Sequence, residues 1–230
     1  MRAGGGKGEM GIPGKGGCRR SLSPPDIAAD WQSRLILEMR RKAIHLSGLS
    51  VPLFLLLFGR GFATGFVALA LAVSLILEWQ RLKGRIRLPE VRAQEEHKVA
   101  SFIYYIAGCL FCLLFLPEMI AVNAVLLLSL GDTISGLAGS VLANADVRSR
   151  RVLWGCKPLS IIAIMFSGCL LIGYLASGIT RLSFPVYLAG AAAATAADGV
   201  CIIINGMGLD DNFSIPVFSG LVMAVVAAAL

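Results

Sequence analysis

Charge is what this chain has least of. Only 15% of its 230 residues are Asp, Glu, Lys or Arg, against about 25% in an ordinary soluble domain. Acidic residues are the rarer sign, 14 against 21 basic ones, and His45 and His97 are the only histidines. So few charges cannot clothe a globular surface of this size in water. The six cysteines make no framework: Cys109 and Cys112 form one Cys-x-x-Cys inside an apolar stretch, with no second pair. Structural zinc needs four ligands, so core packing is the expected role. No Gly-x-x-x-x-Gly-Lys-Ser/Thr run is present, and the one Gly-x-Gly-x-x-Gly spacing, Gly6–Gly11, falls in the glycine-rich arm rather than between a strand and a helix, so neither familiar soluble nucleotide-binding loop is read here. Residues 1–33 hold no apolar core of a signal peptide; eight of the first 17 are glycine, and Pro24-Pro25 follows. They are expected to form a basic arm without a fold of its own.

Long uncharged stretches are abundant instead. The mean hydropathy is +0.77, and apolar runs recur at about the 17–25 residues that a bilayer requires. Seven transmembrane helices are expected, near 43–59, 62–79, 100–117, 119–142, 159–177, 183–205 and 214–230. The expected fold class is therefore all-α, a polytopic membrane helical bundle occupying residues 34–230. The net charge of +7 is not a nucleic-acid signal, because the Lys and Arg residues sort by loop: 19 lie before the first span, in 80–98 or in 143–157, and only Arg60 and Arg181 lie in the alternate loops. The positive-inside rule then places the N-terminus in the cytoplasm and the C-terminus outside. The expectation is an integral protein of the cell or an endoplasmic-type membrane, with the bilayer as partner and no nucleic acid.

Two acidic residues break the apolar pattern. Asp132 is the only charge between Glu118 and Asp146, and Asp198 the only one between Arg181 and Asp210. An ionised Asp at mid-membrane costs about 2.5–3.5 kcal/mol on insertion scales, so two of them point to a site. Asp132, Ser135, Gly136 and Gly139 share one helix face at i, i+3, i+4 and i+7. A helix-packing stripe explains the glycines but leaves the aspartate unexplained. Thr195 and Asp198 lie together on the sixth span. Asp210-Asp211-Asn212 precedes the seventh, where Ser214 is an expected cap and Pro216 suits a first turn. Glu38, Arg41 or Lys42, and His45 share a face at the mouth of the first span, and Lys157 stands at the entrance of the fifth. Glu78 and Arg81, one turn apart, are spaced to pair.

Under the expected topology the cations Arg41, Lys42 and Lys157, with His45, meet the carboxylates Asp198, Asp210 and Asp211 at the cytoplasmic face, with Asp132 deeper. Carboxylates suit a hard divalent cation and lysines suit phosphates. The set reads as a nucleotide–Mg²⁺ site beside lipid. A solvated turn at Asp210–Asn212 and topology-setting basic loops are the bland alternatives.

Three segments then resemble the CTP-dependent polyprenol/dolichol, phytol and diacylglycerol kinase family, itself related to membrane cytidylyltransferases. Glu38-x-x-Arg41-Lys42-x-x-His45 is similar to its opening Arg-Lys…His signature. Gly131-Asp132 through Gly139, followed by Lys157, is similar to its CTP motif. Asp210-Asp211-Asn212-Phe213-Ser214-Ile215-Pro216 resembles its Asp-Asp-Asn-Leu-Thr-Ile-Pro ending. The likeness covers residues 35–222. It departs at Ser135, where the motif has Ala, at Lys157–Ile161, which lacks the motif's Ser/Thr, Glu and Gly, and at Asp198, where many members carry Glu. The resemblance implies transfer of the γ-phosphate of CTP to the hydroxyl of a polyprenol or diradylglycerol. It implies Asp132, Asp210 and Asp211 at Mg²⁺; Arg41, Lys42, Gly131, Ser135, Gly139, Lys157 and Asn212 at the nucleotide; and Asp132, Asp198 and His45 in catalysis. A cytidylyltransferase forming a CDP-lipid and a small ion-coupled transporter are the alternatives.

Overall fold

The structure is a computed structural model that describes residues 39, 42–43, 45–86, 98–142, 152–153, 157–199, 203–204 and 207–230. The 1–33 arm lies outside them. The chain is mostly helical. Its elements in order are α1 (Ser50–Leu82), α2 (Ser101–Phe115), α3 (Glu118–Leu126), a π-helical turn (Leu127–Gly131), α4 (Asp132–Leu142), α5 (Leu159–Thr180), α6 (Phe184–Gly199) and α7 (Asp211–Ala228). Two-residue ladders pair β1 (Val152–Leu153) with β2 (Lys157–Pro158), and β3 (Ile203–Ile204) with β4 (Met207–Gly208), both antiparallel. Among the described residues, four helical stretches are long and apolar enough to cross a membrane: His45–Leu82, Glu118–Leu142, Leu159–Thr180 and Asp211–Ala228.

The first of these is not straight. Gly59 takes φ 80° and ψ 172°, inside an otherwise helical run. Only glycine adopts such angles without strain. Twelve residues of straight helix would hold Phe54 and Phe66 about 18 Å apart, yet their ring centroids lie 4.9 Å apart. The chain therefore reverses at Gly59 and lays the two halves of α1 side by side. Beyond the reversal, the Arg60 guanidinium donates to Leu113 O and Leu116 O at 3.1 and 2.8 Å, which satisfies carbonyls that the end of α2 leaves open.

At its other end α1 grips the start of α2. Arg81 pairs with Glu78 through two hydrogen bonds of 2.8 and 2.7 Å, so the expected pair forms. It also clasps the backbone: Glu78 Oε1 accepts from Ala100 N at 2.8 Å, and Arg81 donates to Lys98 O at 2.6 Å. This fixes where α2 begins, and with it Ser101 and Tyr105. Replacing Arg81 by Ala removes the charged partner of the buried Glu78 carboxylate and leaves it the Ala100 N–H. The expected loss is about 2 kcal/mol, read as a melting temperature lower by about 4–8 °C in detergent.

The expected 119–142 span coincides with the apolar helical stretch Glu118–Leu142, and it carries a π turn at Leu127–Gly131 that widens the ladder by one residue. Another expected span is corrected. The 183–205 helix stops at Gly199. Beyond it Ile203-Ile204 pairs with Met207-Gly208, β-branched residues suiting the strand. The core runs between the helices through Leu55, Leu113, Leu127, Leu128, Met165, Ile215 and Met223, all buried. Where α6 meets α7, a Cβ on Gly190 would lie 2.5 Å from Met223 Sδ, so the close crossing depends on that glycine.

Candidate functional site

Charged side chains from five separate segments meet at one end of the bundle. Asp132 opens α4 immediately after the π turn and is 3% exposed. Its carboxylate pairs with the Lys42 ammonium, and His45 Nδ1 lies 3.1 Å from Oδ2. That nitrogen is close but off a hydrogen-bonding line. One turn along α4, Ser135 Oγ donates to Asp198 Oδ2 at 2.7 Å. Lys157, from β2, pairs with Asp198 Oδ1 and reaches Ser135 Oγ at 3.4 Å. Asp211 opens α7. One carboxylate oxygen each from Asp132, Asp198 and Asp211 lie within 4.8 Å of one another.

Each position has a local cause. The π turn carries Ser129, whose Oγ hydrogen-bonds the Tyr105 hydroxyl at 2.6 Å, and Thr133 Oγ1 donates to Ser129 O at 2.6 Å. The Tyr105 hydroxyl also donates to His45 O at 3.0 Å, and the two rings meet edge-on at 4.9 Å. Tyr105 thus sets both the helix that bears Asp132 and the segment that bears Lys42 and His45. Asp210 caps α7: its Oδ1 accepts from Asn212 N at 3.0 Å and Asn212 Nδ2 at 2.7 Å, while Ser101 donates to Oδ2 at 3.1 Å. Pro216 sits inside α7 and leaves Asn212 O free of an intrahelical donor. There α2 approaches closely, since a Cβ on Gly108 would lie 3.0 Å from Asn212 O.

The electrostatics follow from burial and pairing. Lys157 lies outside the spans; burial disfavours its charge, but the Asp198 and Asp211 carboxylates outweigh this and raise its pKa, so it is an ammonium at neutral pH. Burial and the neighbouring Asp211 charge push Asp210 up to about 6, against the bonds from Asn212 and Ser101. By formal count, Asp132, Asp198 and Asp211 outnumber the lysines Lys42 and Lys157 by one. Carboxylate oxygens at these separations fit a hard cation: opposite oxygens of a Mg²⁺ shell stand about 4.2 Å apart, and those of Ca²⁺ about 5 Å. Asn212 is buried and, among the described residues, its Oδ1 finds no donor, an oxygen beside Asp211 with capacity to spare.

The structure brings together Lys42, His45, Asp132, Ser135, Lys157, Asp198 and Asp211. Asp210, expected in the metal set, is not among the three carboxylates grouped within 4.8 Å, where Asp198 is found; its Oδ1 caps α7 and its Oδ2 accepts from Ser101. The cap is also Asp210 rather than Ser214, since α7 starts at Asp211. Gly131 and Gly139 face α5: a Cβ on Gly131 would meet Cys169 Sγ at 2.9 Å, and one on Gly139 would meet Ile161 at 3.7 Å. Arg41 lies outside the described residues, as do Glu38, His97, Arg148, Arg150, Arg151 and Asn205. Tyr105, Ser129 and Ser101 escaped the sequence reading. Their one signal is that a hydroxyl inside an apolar span must find a partner. No family model, no curated protein and no solved structure matches the chain.

Proposed function

We propose that this chain is a membrane lipid kinase that moves the γ-phosphate of CTP, with Mg²⁺, onto the hydroxyl of a polyprenol or diradylglycerol-type lipid. The observation that carries the reading is the triangle of the buried Asp132 and Asp198 with the half-buried Asp211, flanked by Lys42, Lys157 and His45. By formal count a divalent cation turns the one excess negative charge of this cluster positive, and a polyphosphate is the natural complement. The likeness of its three motifs to the CTP-dependent lipid kinases supplies the donor and the class of acceptor. In this reading seven segments cross the bilayer, with the reversal at Gly59 separating the first two. The site faces the cytoplasm, beside the basic segments, and the C-terminus lies outside.

Phosphoryl transfer asks the protein chiefly for positioning and for neutralised charge. Asp132, Asp198 and Asp211 would hold the metal, which would neutralise charge on the β- and γ-phosphate oxygens. Lys157 and Lys42 would take further phosphate oxygens. The lipid hydroxyl oxygen forms the new bond to the γ-phosphorus while the bond to the β,γ-bridging oxygen breaks and CDP leaves. Asp198 or His45 takes the hydroxyl proton.

The test is purified chain in detergent with γ-labelled CTP or ATP and a panel of lipid alcohols. Label is expected in a lipid phosphate, with CTP as the better donor. Label in pyrophosphate alone would make the protein a cytidylyltransferase. Label retained by both nucleotides with every alcohol would remove the kinase reading.

A further inference from the structure

We propose that Lys157 is an exchangeable counter-ion: it holds Asp198 while the site is free of metal, and a divalent cation displaces it toward the phosphates of the incoming nucleotide. The idea rests on the site reading above, and it concerns what one side chain does there. Three observations carry it.

First, the Lys157 ammonium sits on the same carboxylate that closes the triangle, bonded to Asp198 Oδ1 and 3.4 Å from Ser135 Oγ. A cation held by Asp132, Asp198 and Asp211 and an ammonium on Asp198 would be like charges a few ångströms apart. Second, Lys157 is the less enclosed of the two lysines: its side chain is 22% exposed, against 2% for Lys42. It also stands on the short β2 segment ahead of α5, where its flexible stem has solvent to swing into. Asp198 has no such freedom, being buried and held by Ser135. Third, the triangle is not only a set of acids neutralised by lysines. His45 Nδ1, on a residue 6% exposed, faces Asp132 Oδ2 at 3.1 Å without a hydrogen bond. Asn212 Oδ1, on a buried residue beside Asp211, also finds no donor among the described residues, and an open buried oxygen next to these carboxylates is a ligand of the kind a hard cation takes.

The consequence runs against the usual expectation for a site lysine. Removing Lys157 should tighten the cation and weaken the nucleotide, because the ammonium competes for the first and binds the second. Like charges this close in a partly buried setting interact strongly enough that deleting one should raise metal affinity at least about tenfold.

The experiment uses full-length chain in detergent, without nucleotide, at low salt, with Mn²⁺ as probe and free Mn²⁺ read by electron paramagnetic resonance. Wild type, Lys157→Met and Asp211→Asn are compared. Lys157→Met is expected to bind Mn²⁺ at least about tenfold more tightly than wild type, and Asp211→Asn to bind it more weakly. Equal or weaker binding by Lys157→Met, with Asp211→Asn still impaired, would overturn the exchange and leave the metal site standing. Indifference of Mn²⁺ uptake to Asp211→Asn would remove the metal site, and the exchange with it. A measurement on wild type covers misfolding of the variant: acylation of the Lys157 amine by a water-soluble reagent, followed by mass spectrometry, should rise severalfold at saturating Mn²⁺. Unchanged or reduced labelling refutes the displacement.

Discussion

Asp132→Asn is expected to lower lipid phosphorylation by about a hundred- to a thousandfold, the scale on which a preorganised group at a reacting centre acts. The substitution keeps the side chain's size and removes its charge. Two effects follow, and they have to be separated. The triangle loses one of its three anionic oxygens, and the buried Lys42 loses its carboxylate. Breaking a buried ion pair from one side costs about 3–5 kcal/mol, so the single variant can fail for reasons of stability alone. Lys42→Met combined with Asp132→Asn resolves this, because it removes the second buried charge along with the first, and most of the cost of breaking a buried pair from one side lies in the charge left behind. The double variant should recover the wild-type melting temperature and remain without turnover. Recovered turnover would take Asp132 out of the chemistry and leave it a structural partner of Lys42.

The same residue shows how far a sequence of this kind can be read. Asp132 and Asp198 stand out because a lone charge in an apolar run is costly, and a cost needs a reason. Asp211 and Lys157 emerge only from position, at the mouths of spans that the positive-inside pattern places on one side. Which lysine meets which aspartate is not legible, since the pairings span 90 and 41 residues and depend on how the helices cross. The π turn is hidden as well. Helical periodicity runs cleanly on either side of Leu127–Gly131, but the extra residue rotates one half against the other. That rotation lets Ser129 meet Tyr105 while Asp132 meets Lys42 and His45. The cap at Asp210 was obscured by its neighbours. Asp210-Asp211-Asn212 offers three adjacent oxygen ligands or one cap and two free residues, and only the start of α7 decides between them. The end of α6 was lost because the isoleucines before Asn205 extend an apolar run, and hydropathy does not distinguish a buried helix from a short strand.

Gly48→Ala carries the second large expected effect, and it tests the scaffold rather than the charges. A Cβ on Gly48 would fall 1.8 Å from the Tyr105 hydroxyl oxygen and 2.5 Å from Cζ, which no real contact tolerates. The tyrosine tip cannot swing away cheaply, because it is buried and bonded to Ser129 Oγ and His45 O. Either Tyr105 gives up both bonds, or the segment bearing Lys42 and His45 withdraws from Asp132. Overpacking of this kind costs about 1–3 kcal/mol, and a displacement of the order of 1 Å at a reacting centre costs about a hundredfold in rate. Turnover should therefore fall about a hundredfold while most of the protein remains folded in detergent. Tyr105→Phe separates the bonds from the shape. It removes the hydroxyl and keeps the ring, so it should cost about 1–2 kcal/mol of stability and less than tenfold in rate. Adding Tyr105→Leu to Gly48→Ala removes all three colliding atoms, the hydroxyl oxygen, Cζ and Cε1, and should restore part of the lost activity, since space rather than the alanine itself is then at issue. Wild-type turnover in Gly48→Ala would mean that the contact between the first helical segment and α2 has no bearing on the site, and that Tyr105 only fills a gap.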